Sequence, residues 1–123
     1  MKFQLDSSHE NYIVMEVSGL IEKTELICAM SELLNHPEYP SKHTFWDLSQ
    51  AGMGLSIGDL REIIGVLALY KPEKKNFADK SAILVPGQMN RAMGELFVTM
   101  AKALPFRYKV FNSREQAASY LVS

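Results

Sequence analysis

The sequence predicts an α/β fold: a mostly parallel five-stranded sheet with an N-terminal hairpin and four helices, in the order ββαβαβαβα. Three observations carry that reading. Two short strand-like segments at the N-terminus flank a cluster of turn formers. Three later apolar, β-branched or aromatic segments are each followed by a stretch with helical periodicity. Strands separated by helical crossovers run parallel, with right-handed connections. With 123 residues, no internal repeat and no low-complexity linker, residues 1–123 are read as a single domain.

The elements follow in order. Residues 2–5 and 12–17 alternate or are β-branched. Asp6, Ser7, Ser8, His9, Glu10 and Asn11 lie between them, which predicts an antiparallel hairpin. Ser18 and Gly19 are read as the end of the second strand. Helix 1 is expected over residues 22–35, where Leu26, Met30, Leu33 and Leu34 fall at helical spacing beside Ile27, and Glu22 and Glu25 suit the first-turn dipole. Pro37 and Pro40 close it.

Strand 3 is expected over residues 44–48. Its near-continuous apolar character suits a strand covered by other elements. Gly52 and Gly54 are read as a tight turn, and Ser56, Ile57, Gly58 and Asp59 have capping-box form. Helix 2 then runs to residue 70 with Leu60, Ile63, Ile64, Leu67 and Ala68 as its core stripe. A charged loop over 71–80 is read as mobile. Strand 4 spans 81–85 and ends at Pro86 and Gly87. Helix 3 spans 88–104, with Met89, Met93, Leu96, Phe97, Met100 and Leu104 on one stripe, and Pro105 stops it. Strand 5 spans 107–111, and Asn112, Ser113, Arg114 and Glu115 open helix 4, which reaches residue 121.

Composition excludes several function classes. The formal net charge is −1, which lacks the basic excess of nucleic-acid binders. The longest apolar run, 63–70, is far short of the ~20 residues that span a bilayer, so integral membrane association is not expected. The polar start argues against a signal peptide. The single cysteine, Cys28, has no internal disulfide partner, and a reducing cytoplasm is the expected setting. It falls mid-helix and is read as a buried, inert thiol. His9, His36 and His43 show no metal spacing, and HExxH, CxxC, GxSxG and P-loop patterns are absent. No metal and no cofactor are expected.

Candidate site residues gather at the carboxyl ends of the strands, where open parallel sheets bind ligands. Asp47 is the hardest to explain as scaffold. An acid there either caps the turn or serves a site. Ser49, Ser56 and Arg91 complete the expected ligand- or partner-binding set. Asp47 with Arg91 would have to carry any acid–base or anion chemistry, and an enzyme is not expected. On helix 2, Val66, Leu69 and Tyr70 leave the end apolar around much of its circumference. Either the next loop covers them or they form a partner or self-association face.

The order of these elements resembles the SpoIIAA-like fold of STAS domains (sulfate transporter and anti-sigma-factor antagonist), and more narrowly its uncharacterised bacterial branch. The matching residues are Gly19, Leu20 and Ile21 before helix 1, then His36, Pro37, Glu38 and Tyr39 after it. Trp46, Asp47 and Leu48 match on strand 3, as do Phe106 to Phe111 leading into Arg114, Glu115, Gln116 and Ala117. The resemblance covers essentially the whole chain. It implies a non-enzymatic regulatory or protein-interaction module. It also implies a phosphorylation site at the start of helix 2, which falls on Ser56. Here the pattern departs from the family, since no acid precedes Ser56 and no second serine adjoins it. The same fold class resembles CRAL-TRIO-type lipid carriers, and this gives the alternative expectation, a carrier or sensor of a small apolar or anionic ligand.

Overall fold

A computed structural model describes residues 1–69, 80–104 and 106–123. Tyr70, the expected loop over 71–79 and Pro105 lie outside the described residues, as does the side chain of Met89. The order is β1 (Lys2–Asp6), β2 (Tyr12–Ile21), α1 (Lys23–Leu34), β3 (His43–Met53), α2 (Ile57–Leu67), β4 (Lys80–Leu84), α3 (Gln88–Met100), β5 (Arg107–Phe111) and α4 (Arg114–Val122). The five strands form one sheet in the order β1-β2-β3-β4-β5. The β1–β2 pair is antiparallel, and β2 through β5 are parallel neighbours. This is the predicted ββαβαβαβα fold.

The strand order advances without reversal, so right-handed crossovers place α1, α2 and α3 on the same face of the sheet. Between them and the sheet lies the larger core, which includes Ile13, Met15, Met30, Leu33, Trp46, Ile63, Leu67 and Ile83. After β5 the chain folds back, and α4 packs on the opposite face over a second core of Phe45, Ala82, Leu84, Phe111, Ala117 and Leu121. Strand β3 is therefore covered on both faces. Trp46 faces the crossover helices and Phe45 faces α4, as strand alternation requires. Helix α4 is only nine residues long and caps β3, β4 and β5. The outer half of that face, on β1 and β2, carries Lys2, Gln4, Glu16 and Ser18. No described helix is long and apolar enough to cross a membrane.

Several expected boundaries move, and α2, expected to reach residue 70, ends at Leu67. Strand β2 runs to Ile21 and β3 to Met53, because Ser18 to Ile21 pair with Gln50 to Met53. The glycines read as stops lie in or beside the paired segments. Gly19 takes φ +80° within β2, a left-handed conformation that favours glycine. Gly54 sits where any side chain would collide: a Cβ there would lie 2.5 Å from the Ile21 carbonyl oxygen and 2.9 Å from Leu20 Cγ. Helix α3 ends four residues earlier than expected, at Met100, and a 3-10 turn over Ala101–Ala103 follows it. Cys28 is exposed rather than buried. The buried stripe of α1 runs through Ala29, Met30 and Leu33, and Cys28 is turned away from it.

Glycine replacement separates close approach from simple helix cost. Gly54→Ala is expected to destabilise the protein by about 1–3 kcal/mol, the usual cost of overpacking. Gly65 is exposed, with nothing near its added Cβ, so Gly65→Ala is expected to stabilise by about 0.5–1 kcal/mol. Urea unfolding of both variants checks the opposite signs.

Candidate functional site

The acid singled out in the sequence, Asp47, is nearly buried, with 8% of its side chain accessible. Three donors hold it. Its Oδ1 accepts the Ser49 backbone N–H at 3.0 Å and the Ser49 hydroxyl at 2.6 Å. Its Oδ2 accepts Nη2 of Arg114 in an ion pair. The first bond is the Asx-type local contact expected of an acid two residues before a turning backbone. The backbone does turn here. Glu16 pairs with Asp47 and Ser18 pairs with Gln50, so Leu48 and Ser49 on β3 oppose Val17 alone on β2. That two-against-one register is a β-bulge, a device that re-aims side chains at sheet edges and sites.

The ionisation of Asp47 follows from these contacts. Burial works against its charge, but the Ser49 hydroxyl and amide and the Arg114 guanidinium outweigh burial and hold the carboxyl below its ordinary range. Arg114 is the first residue of α4, where the helix dipole disfavours a cation. Two partners offset that cost: the Asp47 carboxylate and the Phe45 ring, whose centroid lies 5.5 Å from the guanidinium carbon.

Asp47 and Ser49 share an open groove of about 550 Å³ with Arg114 and the uncovered half of the sheet. Ser56 and Arg91 are not among its lining residues. Arg91 lies on α3 and faces Glu95 at 3.8 Å in an exposed i,i+4 pair, so the arginine that reaches Asp47 is Arg114. The reason is topological: α3 crosses on one face of the sheet, and the Asp47 side chain points to the other.

Ser56 is the N-cap of α2 and is exposed. Its Oγ accepts the Asp59 N–H at 3.1 Å, and its own N–H donates to Asp59 Oδ2 at 2.9 Å. This is a complete capping box, with Asp in the usual Glu position. Those bonds hold the Asp59 carboxyl below its ordinary range, led by the Ser56 amide. Exposed apolar side chains lie next to the cap and at the turn before it. Ile57, the next residue, is 53% exposed, and Leu20, beside Gly52 and Gly54, is 55% exposed. Periodicity in helix 2 pointed instead to Val66, Leu69 and Tyr70. Leu69 is 81% exposed and Val66 half-buried. Leu69 stands at the far end of α2, ~18 Å from Ile57 at 1.5 Å per residue.

The interior offers a second space, between the sheet and α1, α2 and α3. It is an apolar cavity of about 90 Å³, lined by Trp46, Ile83, Met93, Phe97 and their neighbours. That is well below the ~300–1,000 Å³ of typical small-molecule sites. A lipid chain would require the helices to move apart. No group of three or more His, Cys, Asp or Glu side chains that could hold a metal occurs among the described residues.

Comparison of the whole chain with solved structures shows the SpoIIAA-like fold. An anti-sigma factor antagonist from Mycobacterium paratuberculosis superimposes with TM-score 0.60 at 18% identity, over 99% of this chain and 94% of that one. An uncharacterized protein of the DUF3478 family with a SpoIIAA-like fold, from Shewanella loihica, gives TM-score 0.59 at 15% identity, over 98% and 92%. The anti-sigma factor antagonist SpoIIAA in its unphosphorylated form gives TM-score 0.51 at 16% identity, over 98% and 97%. No protein-family model matches the sequence, and no curated protein does.

Asp47→Asn tests the latch. Arg114 is 59% exposed, so the loss is expected to be about 1–2 kcal/mol rather than the cost of breaking a fully buried pair. The pH dependence has a definite sign. A carboxyl whose folded pKa is depressed adds stability that is complete above its unfolded value. That stability is lost as pH falls through the folded value. The wild type should therefore lose stability below about pH 4 more steeply than Asp47→Asn, as read by thermal melts across pH 2–7.

Proposed function

We propose that this protein is a non-enzymatic regulatory module that docks on a partner protein through the turn into α2. The observation that carries the reading is the exposed Ser56 cap, with exposed Ile57 next to it and exposed Leu20 against Gly54, two residues before it. A polar cap with exposed apolar side chains near it suits recognition: the apolar groups supply buried area, and the cap fixes orientation. Two of the structures that share the fold are anti-sigma factor antagonists, which supports a protein partner of the regulatory class. The exposed free thiol of Cys28 suits the reducing cytoplasm, where we place this activity.

Leu69 gives self-association a surface of its own, at the opposite end of α2. Charge substitution distinguishes the two ends. Ile57→Glu should weaken binding to an anti-sigma-factor kinase, used as the probe partner, by about tenfold or more, a loss of ~1.4 kcal/mol. It should leave the solution mass unchanged. Leu69→Glu should leave kinase binding intact and abolish any dimer. Light scattering and a binding titration read both. Kinase binding untouched by Ile57→Glu would sink the proposed face.

A further inference from the structure

The groove on the α4 side of the sheet is independent of the Ser56 surface, which belongs to a helix on the other face. Its walls carry four charges: Lys2, Glu16, Asp47 and Arg114. Their arrangement is unusual in two ways. Glu16 and Asp47 are direct neighbours in the β2–β3 register, on the same face of the sheet. Like charges so placed repel and cost stability. Arg114 neutralises Asp47. The Glu16 side chain forms no ion pair or hydrogen bond among the described residues, and neither does that of Lys2. Lys2 stands opposite Ser18 and Glu16 opposite Gln4, a diagonal of the ladder on which they do not pair.

The cationic side of the groove is also held ready. A guanidinium carries five donors in a fixed fork. Arg114 commits one nitrogen to Asp47 and rests on the Phe45 ring, while more than half of its side chain stays exposed. The remaining edge of the fork is therefore ordered and open. Arg114 and Lys2 offer donors to an anion, and Glu16, beside Asp47, lacks a cation. The Ser49 hydroxyl, already donating to Asp47, keeps acceptor capacity at the bulge.

We propose that this groove binds a small zwitterion of the amino-acid class, with its carboxylate between Arg114 and Lys2 and its ammonium on Glu16. Such a ligand supplies both charges that the groove leaves unmatched and adds no net charge. The volume of about 550 Å³ is that of a small-molecule site. Asp47 acts here as a positioning residue, since it orients Arg114 rather than touching the ligand.

The test uses amino acids of graded charge separation on the full chain: glycine, β-alanine and 4-aminobutyrate, with acetate and methylamine as half-molecules. Backbone amide resonances of Glu16, Ser18 and Ser49 report binding. At least one amino acid should produce saturable shifts with an apparent Kd at or below about 10 mM, and each half-molecule should bind about tenfold more weakly. Glu16→Gln, an exposed and conservative change, should reduce amino-acid affinity about tenfold while leaving acetate binding unchanged. Lys2→Ala should weaken acetate and amino acid together. The proposal is overturned if no member of the series saturates at about 10 mM, if acetate or methylamine alone binds as well as the amino acids, or if Glu16→Gln leaves their affinity unchanged. Unperturbed α2 resonances in each variant show that the fold is retained.

Discussion

A strand covered on both faces leaves little room for charge, and β3 carries an acid near its middle. The rest of this face follows from how Asp47 is satisfied. Burial of the carboxylate is tolerated because three donors converge on it, two from the bulged backbone and hydroxyl of Ser49 and one from Arg114. The bulge brings Ser49 to Oδ1. The return of α4 across the opposite face brings Arg114 to Oδ2. Neither contact is available to an acid on a regular strand covered by crossover helices alone. The ion pair ties the first turn of a short helix to β3, and Ala117 and Leu121 complete the attachment through apolar burial. An ion pair whose arginine is more than half exposed adds little net stability. Its larger effect is to fix where α4 begins, and with it the edge of the open groove.

The second constraint is strand order. In doubly wound sheets a ligand crevice opens where the strand order reverses and neighbouring helices depart to opposite faces. This sheet runs from β1 to β5 without reversal, so its crossover helices pack side by side and no such crevice forms. Functional surface must lie elsewhere. The surfaces proposed above lie instead at the rim, at the α2 N-terminus with exposed Ile57, and on the half-sheet that a nine-residue α4 does not reach. These two places are on opposite faces, and the shared strand β3 joins them. The proposed docking surface and the proposed small-molecule groove are thereby kept apart.

Element type and order were legible in the sequence because α1, α2 and α3 carry apolar stripes at helical spacing, α4 opens on a capping run, and each strand has an apolar centre bounded by turn formers. The central misreading was glycine. Gly19 and Gly52 looked like strand ends, yet both lie within paired strands. The physical cause is that a glycine in a strand serves a left-handed residue or a close backbone approach as readily as a turn. Asp47 was legible as an anomaly, but its arginine was not. Arg91 and Arg114 both sit near helix starts, and only the three-dimensional path decides which helix crosses the face to which Asp47 points. Leu20 and Ile57 were missed for a similar reason. One completes a strand and the other begins a helix, so neither departs from its local pattern, and their exposure is set by what fails to cover them.

Local chemistry at Ser56 decides what a phosphoryl group would meet there. A phosphoryl group added there would meet the free N–H groups and positive end of α2, which favour it. It would also meet the Asp59 carboxylate, which now accepts the Ser56 amide and is held ionised by it. Two anions cannot share that position without cost, so the phosphate would have to displace Asp59 and take over its bond to the backbone. The capping box would then be replaced by a phosphate-capped helix, with Ile57 and Leu20 still beside it. In a cap of this composition, modification would change the charge and hydration of the exposed turn far more than the stability of the helix, because one capping anion would replace another.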